Sequence, residues 1–215
     1  MVIALKAGVS FCVVDGTAIF LDLAADRYFA LSASASSDFL RAIAAGNAAE
    51  SLSRLPFLRF SDDRTAAAAA PVHVRVCERS LVDDTLPSVS SLSVLRAAAE
   101  QLWAGTILRH QPLYVSLDAP KSPTEQGASG IWCEDTAVTI AASYQAAGRL
   151  VGLTDRCLRF SFAMWRRMRS LRLPVNLVFG VTHRPFAAHC WVQAFDTVCS
   201  DRLEHVRWFT PIAVI

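Results

Sequence analysis

Charge is scarce in this chain. Of its 215 residues 19% are charged, the net charge is +2, and no block of lysine or arginine occurs. A nucleic-acid role therefore has no electrostatic footprint. No apolar run reaches the roughly 18–20 residues that span a bilayer. The amino terminus, Met1 to Lys6, has a short apolar patch with no basic region ahead of it, which makes a poor signal peptide. A cytoplasmic protein, off the membrane, is the expectation. The six cysteines, at 12, 77, 133, 157, 190 and 199, include no Cys-x-x-Cys pair. That argues against a structural zinc site, and in a reducing compartment most of these thiols should be free and buried. With no Walker motif and no metal cluster, neither cofactor nor metal is expected. No internal repeat is visible.

Apolar residues are abundant: 53% of the chain, with a mean hydropathy of +0.34. A sizeable core can form, and the low charge suggests apolar surface kept for partners. The pattern predicts an α+β fold. Val9 to Val14, Ala18 to Leu23 and Arg27 to Leu31 read as three strands, joined at Asp15-Gly16 and across Asp22 to Asp26. Residues 33–45 read as a helix capped by Ser34 or Ser36 and ended by Gly46, with a short second helix over 48–55. Residues 61–71, with five consecutive alanines and Pro71, carry few large apolar groups and begin a connection. The expected division is a small unit at 1–70, a linker at 71–87 and a larger unit at 88–215.

In the larger unit, Leu92, Leu95, Ala99, Leu102 and Ile107 recur at near-helical spacing within 89–109. Residues 112–130 read as a loop. Further helices are predicted over 135–150 and 154–171, then strands over 175–181, 186–195 and 197–202.

The chemistry rests on Cys157. Thr154 as N-cap would place this thiol in the first turn of a helix, where unpaired N–H groups and the positive dipole end favour a thiolate. The same N–H groups could hold an oxyanion. Leu158, Phe162 and Trp165 would anchor that helix on a core. Taken alone, such a cysteine is more often buried and inert. His189 and Trp191 share one face of a strand, Cys190 and Val192 the other. A three-residue loop at Ala194-Phe195-Asp196 would pair 193 with 197, and so bring His189 opposite Asp201, whereas a two-residue loop would break this pairing. Asp201 could then orient the imidazole, as the third member of a triad does. Among the alternatives, Cys190 should face away from the histidine's side, and Cys199 could lie near Trp191. Cys133 should be raised by Glu134 and Asp135. His183 belongs on an exposed turn, and His205 lacks a comparable arrangement.

The segments Arg156-Cys157-Leu158 to Trp165, Leu177 to Val181, Ala188-His189-Cys190-Trp191-Val192 and Ser200-Asp201 together resemble the transglutaminase-like maturation proteases of lasso-peptide biosynthesis, the B proteins. Cys190 departs from the usual alanine after the histidine, and Phe195-Asp196-Thr197 from the usual Asp-Gly turn. The resemblance implies a transglutaminase/papain-like cysteine protease domain that removes the leader from a ribosomally made precursor peptide. Cys157 would be its nucleophile, His189 its base and then acid, and Asp201 the group that holds His189. It also implies an ATP-dependent macrolactam synthetase as partner. Leu21-Asp22-Leu23 and Asp26 to Leu31 are similar to a winged-helix-like leader-recognition domain, related to the small chaperone of pyrroloquinoline quinone biosynthesis. Such a domain would bind the leader as an added strand near Arg27, Tyr28, Phe29 and Leu31. Two other readings of the same residues are a transglutaminase-like amidase or acyltransferase acting on another substrate, and a non-catalytic peptide-binding scaffold.

Overall fold

The computed structural model describes residues 2–45, 55–61, 68–117, 130–151 and 156–215. β1 (Val2–Leu5) and β5 (Leu58–Ser61) form an antiparallel pair. β2 (Val9–Val14) and β3 (Thr17–Asp22) turn through Asp15 and Gly16, at φ 49° and 74°, the two-residue hairpin that left-handed residues permit. The Asp22 carboxylate then accepts from the N–H groups of Ala24 and Ala25, and β4 (Arg27–Ala30) returns along β3. The sheet order is β2-β3-β4, so among the described residues β4 is an edge. α1 (Ala33–Ala45) is capped by Ser32, whose hydroxyl accepts from the Ala35 N–H. Ser36, expected as a cap, is instead buried and accepts from the Ala18 N–H at 3.1 Å. The predicted helix at 48–55 and its neighbour Gly46 lie outside the described residues, apart from Leu55.

Alternation along β2 and β3 divides their side chains between two cores. Phe11 and Phe20 pack with Phe39 and Phe57. Cys12, Ile19 and Leu21 enter the other core, which belongs mainly to the second unit.

That second unit is built on a five-stranded sheet of order β10-β7-β8-β9-β6. Its strands are β6 (Arg79–Ser80), β7 (Asn176–Thr182), β8 (Ala187–Ala194), β9 (Thr197–Val198) and β10 (Thr210–Val214). β6 comes from the stretch expected as a linker, and runs parallel to β9. One sheet face meets α5 (Arg156–Ser170), on which α2 (Ser91–His110) and α4 (Glu134–Val151) pack, with Tyr144, Phe162, Met164 and Met168 fully buried in this core. Two short helices complete the unit, α3 (Leu113–Ser116) and α6 (Leu203–Val206). The opposite sheet face buries Val178, Trp191, Val198 and Val214 against Cys77 and Val206.

The apolar stripe predicted to bury α2 faces outward instead. Leu92, Leu95 and Leu102 are exposed, while Ala97, Gln101 and Ala104 are buried. The contact face meets Ala137 and Ala141 of α4, and small residues on both helices permit close approach.

Candidate active site

Cys157 is the second residue of α5 and is half-buried. Thr154, expected to cap this helix, lies outside the described residues. Phe162 and Trp165 are buried on the core side, as their spacing predicts, and Leu158 packs partly against it. Ser161, one turn after Cys157, donates to the Cys190 carbonyl at 3.0 Å and so ties α5 to β8.

His189 lies on β8 directly opposite Gly180 of β7. Glycine is required there: a Cβ would come within 2.7 Å of the Trp191 ring and 2.8 Å of the Phe209 Cβ. Both rings pack on His189, with centroids at 6.2 and 5.0 Å. Its Nε2 is 2.6 Å from Oδ2 of Asp201, which leaves Nδ1 for the cysteine side.

Asp201 reaches this position by a different route from the one predicted. The β8–β9 turn has two residues, Phe195 and Asp196, so Ala194 pairs with Thr197 and Gln193 with Val198. Phe195 takes a positive φ of 52°, and buried Gln193 holds the turn by donating to the Phe195 carbonyl at 2.7 Å. In that register 189 would face 202. β9 ends after two residues, however, and the Ser200 hydroxyl replaces a backbone acceptor by taking the Val192 N–H at 2.8 Å. Gln145 holds the Ser200 carbonyl and Ser80 the Asp201 carbonyl, at 3.1 and 2.6 Å. The ladder breaks, and the bend it releases swings Asp201 to His189.

The electrostatics suit a thiolate–imidazolium pair. The Cys190 thiol, placed to donate to the sulfur, is the largest influence on Cys157. Burial opposes it, while the hydrogen bond and charge of His189 add to it, and the Cys157 pKa falls to about 4. Burial alone would lower His189, but hydrogen bonds to Asp201 and Cys157 outweigh it and raise its pKa to about 9. Asp201 is likewise penalised by burial, yet hydrogen bonds from both histidines hold its carboxyl below the usual range.

Sequence reasoning missed two neighbours. Cys190 does face away from His189 into the helix-covered core, as expected, but that face meets the first turn of α5 and Cys157. His205 donates from Nδ1 to the same Asp201 Oδ2, at 2.7 Å. The readable signal was the four-residue spacing of Asp201 and His205 at a helix start. Three lesser expectations change as well. Cys199 pairs across from Val192 and is buried with Cys190, away from Trp191, and burial lifts its thiol to about 12. Cys133 is lowered, because the Thr136 hydroxyl outweighs the adjacent Asp135 carboxylate. His183 is half-buried rather than exposed.

The four residues expected at a peptide groove divide between faces. Phe29 stacks on Phe20 and meets Phe57 at a tilt, Leu31 packs partly in that core, and Arg27 lies over the Phe29 ring. Tyr28 points the other way. It meets Phe186 edge-on at 5.7 Å and packs against the core that holds Cys157. Burial, then the nearby Cys190 and Cys157 sulfurs, push its phenol well up.

A cavity of about 480 Å³ opens beside Cys157, His189 and Asp201, with Gln145, Arg149 and Arg159 on its walls. Among the described residues, His189, Asp201 and His205 also bring potential metal-ligand atoms within 4.8 Å of one another. Their present spacing is that of hydrogen bonds.

Compared with protein families, residues 91–214 match the one described as the transglutaminase-like superfamily, which takes in α2 through β10. No curated protein and no solved structure matches the chain.

Proposed function

We propose that this chain, which belongs to the transglutaminase-like superfamily over more than half of its length, is a leader peptidase acting on a ribosomally made lasso-peptide precursor. The superfamily is of cysteine protease and acyltransferase type, and the chain joins a small β-rich amino-terminal region to that domain in a mixed α+β fold. The observation that carries a catalytic reading is the convergence of Cys157, His189 and Asp201 from α5, β8 and the bend after β9. The thiolate attacks the scissile carbonyl. The imidazolium, held through Nε2 by Asp201, gives its Nδ1 proton to the leaving amine, and the neutral ring then takes a proton from the water that cleaves the acyl-enzyme. N–H groups of the first turn of α5 face the oxyanion.

The leader-specific part rests on the resemblance at 150–205, on Tyr28 and on β4, whose outer side pairs with no other strand among the described residues. An extended leader added beside β4 would lie close to Phe186 and the cleft. In this reading residues 1–70 recognise the leader, 88–215 cut it, and an ATP-dependent macrolactam synthetase uses the freed core peptide. Among the described residues no helix is long and apolar enough to cross a membrane.

The test is mass spectrometry of a candidate precursor encoded beside this chain. One cut at the leader–core junction, lost in Cys157→Ala with leader binding kept, is the expected result. An intact peptide carrying a new amide would favour acyl transfer instead. Processing undiminished in Cys157→Ala would leave only a binding scaffold.

A further inference from the structure

We propose that His205 is a positioning residue for the catalytic pair, holding the Asp201 carboxylate in the one orientation that serves His189. This rests on the reading of Cys157 and His189 as that pair. Asp201 lies beyond the end of β9, on a bend with no sheet ladder to fix its side chain. Among the described residues, three donors set it instead. Oδ1 accepts the Arg202 N–H at 2.7 Å, and Oδ2 accepts from His189 Nε2 at 2.6 Å and His205 Nδ1 at 2.7 Å. An ionised carboxylate only accepts, so each of these ring nitrogens carries its proton. That fixes His205 with Nδ1–H toward Asp201.

The arrangement does more than fill a valence. The His205 ring lies 4.6 Å from the His189 ring and edge-on to Phe209, which also packs on His189. His205 is half-exposed, and Asp201 beside it is partly exposed as well. The His205 bond restricts the carboxylate where β9 gives no support, and competes with water for Oδ2. The titratable groups around His189 are Cys157, Cys190, Asp201 and His205, with Tyr28 reaching toward the two sulfurs from the amino-terminal sheet. Zinc in place of the shared protons would need donor atoms more than about 3 Å apart around one ion, given Zn–N distances near 2.0–2.1 Å. The observed 2.6 and 2.7 Å contacts are hydrogen bonds.

The experiment compares full-length wild type with His205→Leu and His205→Asn. Leucine fills the space without a donor, and the asparagine amide can donate from near the Nδ1 position. Iodoacetamide labelling of Cys157, followed by peptide mass mapping across pH, reads the thiolate–imidazolium pair without any substrate. Thermal melts check folding. His205→Leu should keep its melting temperature and move the upper, imidazole-linked limb of the profile down by about one unit, a tenfold change in proton affinity. On a cleavable precursor it should lose about tenfold in kcat with KM unchanged, and His205→Asn should recover most of both losses. Wild-type profiles and kcat in His205→Leu would overturn the positioning role. So would loss of the low-pH thiolate on chelator treatment with return on added zinc, which would make the cluster a metal centre. If wild-type Cys157 itself shows no thiolate at mildly acidic pH, the catalytic reading fails first, and this proposal with it.

Discussion

At the scale of single residues, the site is governed by who donates to the Cys157 sulfur. A thiol lowered to about 4 is thiolate above that pH, and an imidazole raised to about 9 stays protonated below it. The reactive ion pair therefore exists between those values. Turnover is expected to rise as pH increases through about 4 and to fall through about 9, in a bell-shaped profile of kcat/KM. A profile with only an acidic limb near the usual histidine value would contradict the pairing. Cys190 stands where the resembling family has alanine, and its thiol is the largest influence on Cys157. Cys190→Ala should raise the Cys157 midpoint by about one to two units, read from thiolate absorbance against pH, with activity retained near neutrality because His189 still pairs with the sulfur. An unmoved midpoint would show that His189 and the helix start suffice. Cysteine types were readable in the sequence, and so was the side each residue of β8 faces. That the far face of β8 lies under the start of α5 was not, because it depends on how a helix lands on a sheet.

At the scale of elements, β7, β8 and the bend after β9 decide whether a triad forms. Gly180 makes room for the rings that pack on His189: a Cβ there would come within 2.7 Å of Trp191 and 2.8 Å of Phe209. Gly180→Ala must displace one of these rings and should cost about 1–3 kcal/mol by overpacking, measured by denaturant unfolding. The displaced ring moves the His189 and His205 supports with it, so kcat should fall as well. Stability lost with full activity would mean that the rings serve the core alone. The hairpin shows where sequence reasoning held and where it failed. The even spacing of His189 and Asp201 suggested direct opposition through a three-residue loop, but the chain uses a two-residue loop. Phe195 accepts a positive φ without glycine because Gln193 holds its carbonyl, and nothing local to the turn announces that bond. The two side chains still meet, because Ser200, Ser80 and Gln145 pin the bend from three other elements. Such long-range pins leave no periodicity to read. The α2 helix failed for a related reason. Its leucines formed the more evident stripe, yet close packing on α4 selects alanines.

At the scale of the whole molecule, the amino-terminal unit is part of the second unit's core. Ile19, Leu21 and Leu23 are buried in the cluster that also holds Ile212, Phe162 and Cys190. Burying each such side chain contributes about 1.5–3 kcal/mol, so three of them contribute roughly 5–9 kcal/mol to the junction. That is comparable to the roughly 5–15 kcal/mol of net stability of an ordinary domain. The segment 88–215 alone should therefore expose this apolar face. It should bind a hydrophobic dye, melt well below the full chain, and lose the low-pH reactivity of Cys157 because β7, β8 and β10 share that core. If it instead keeps the wild-type melting temperature and thiolate, the two units are independent and Tyr28 is dispensable to the cleft. A fused arrangement has a functional consequence that a tethered one lacks. With Tyr28 against Phe186 and the core around Cys157, a peptide added beside β4, as proposed, would be delivered at a fixed distance from the thiolate. The position of a cut would then be set by the number of residues between the bound segment and the scissile bond. Inserting two residues between those points in a precursor should shift the cut or abolish it, and a cut that stays at the same residues would show that recognition at the cleft alone chooses the bond.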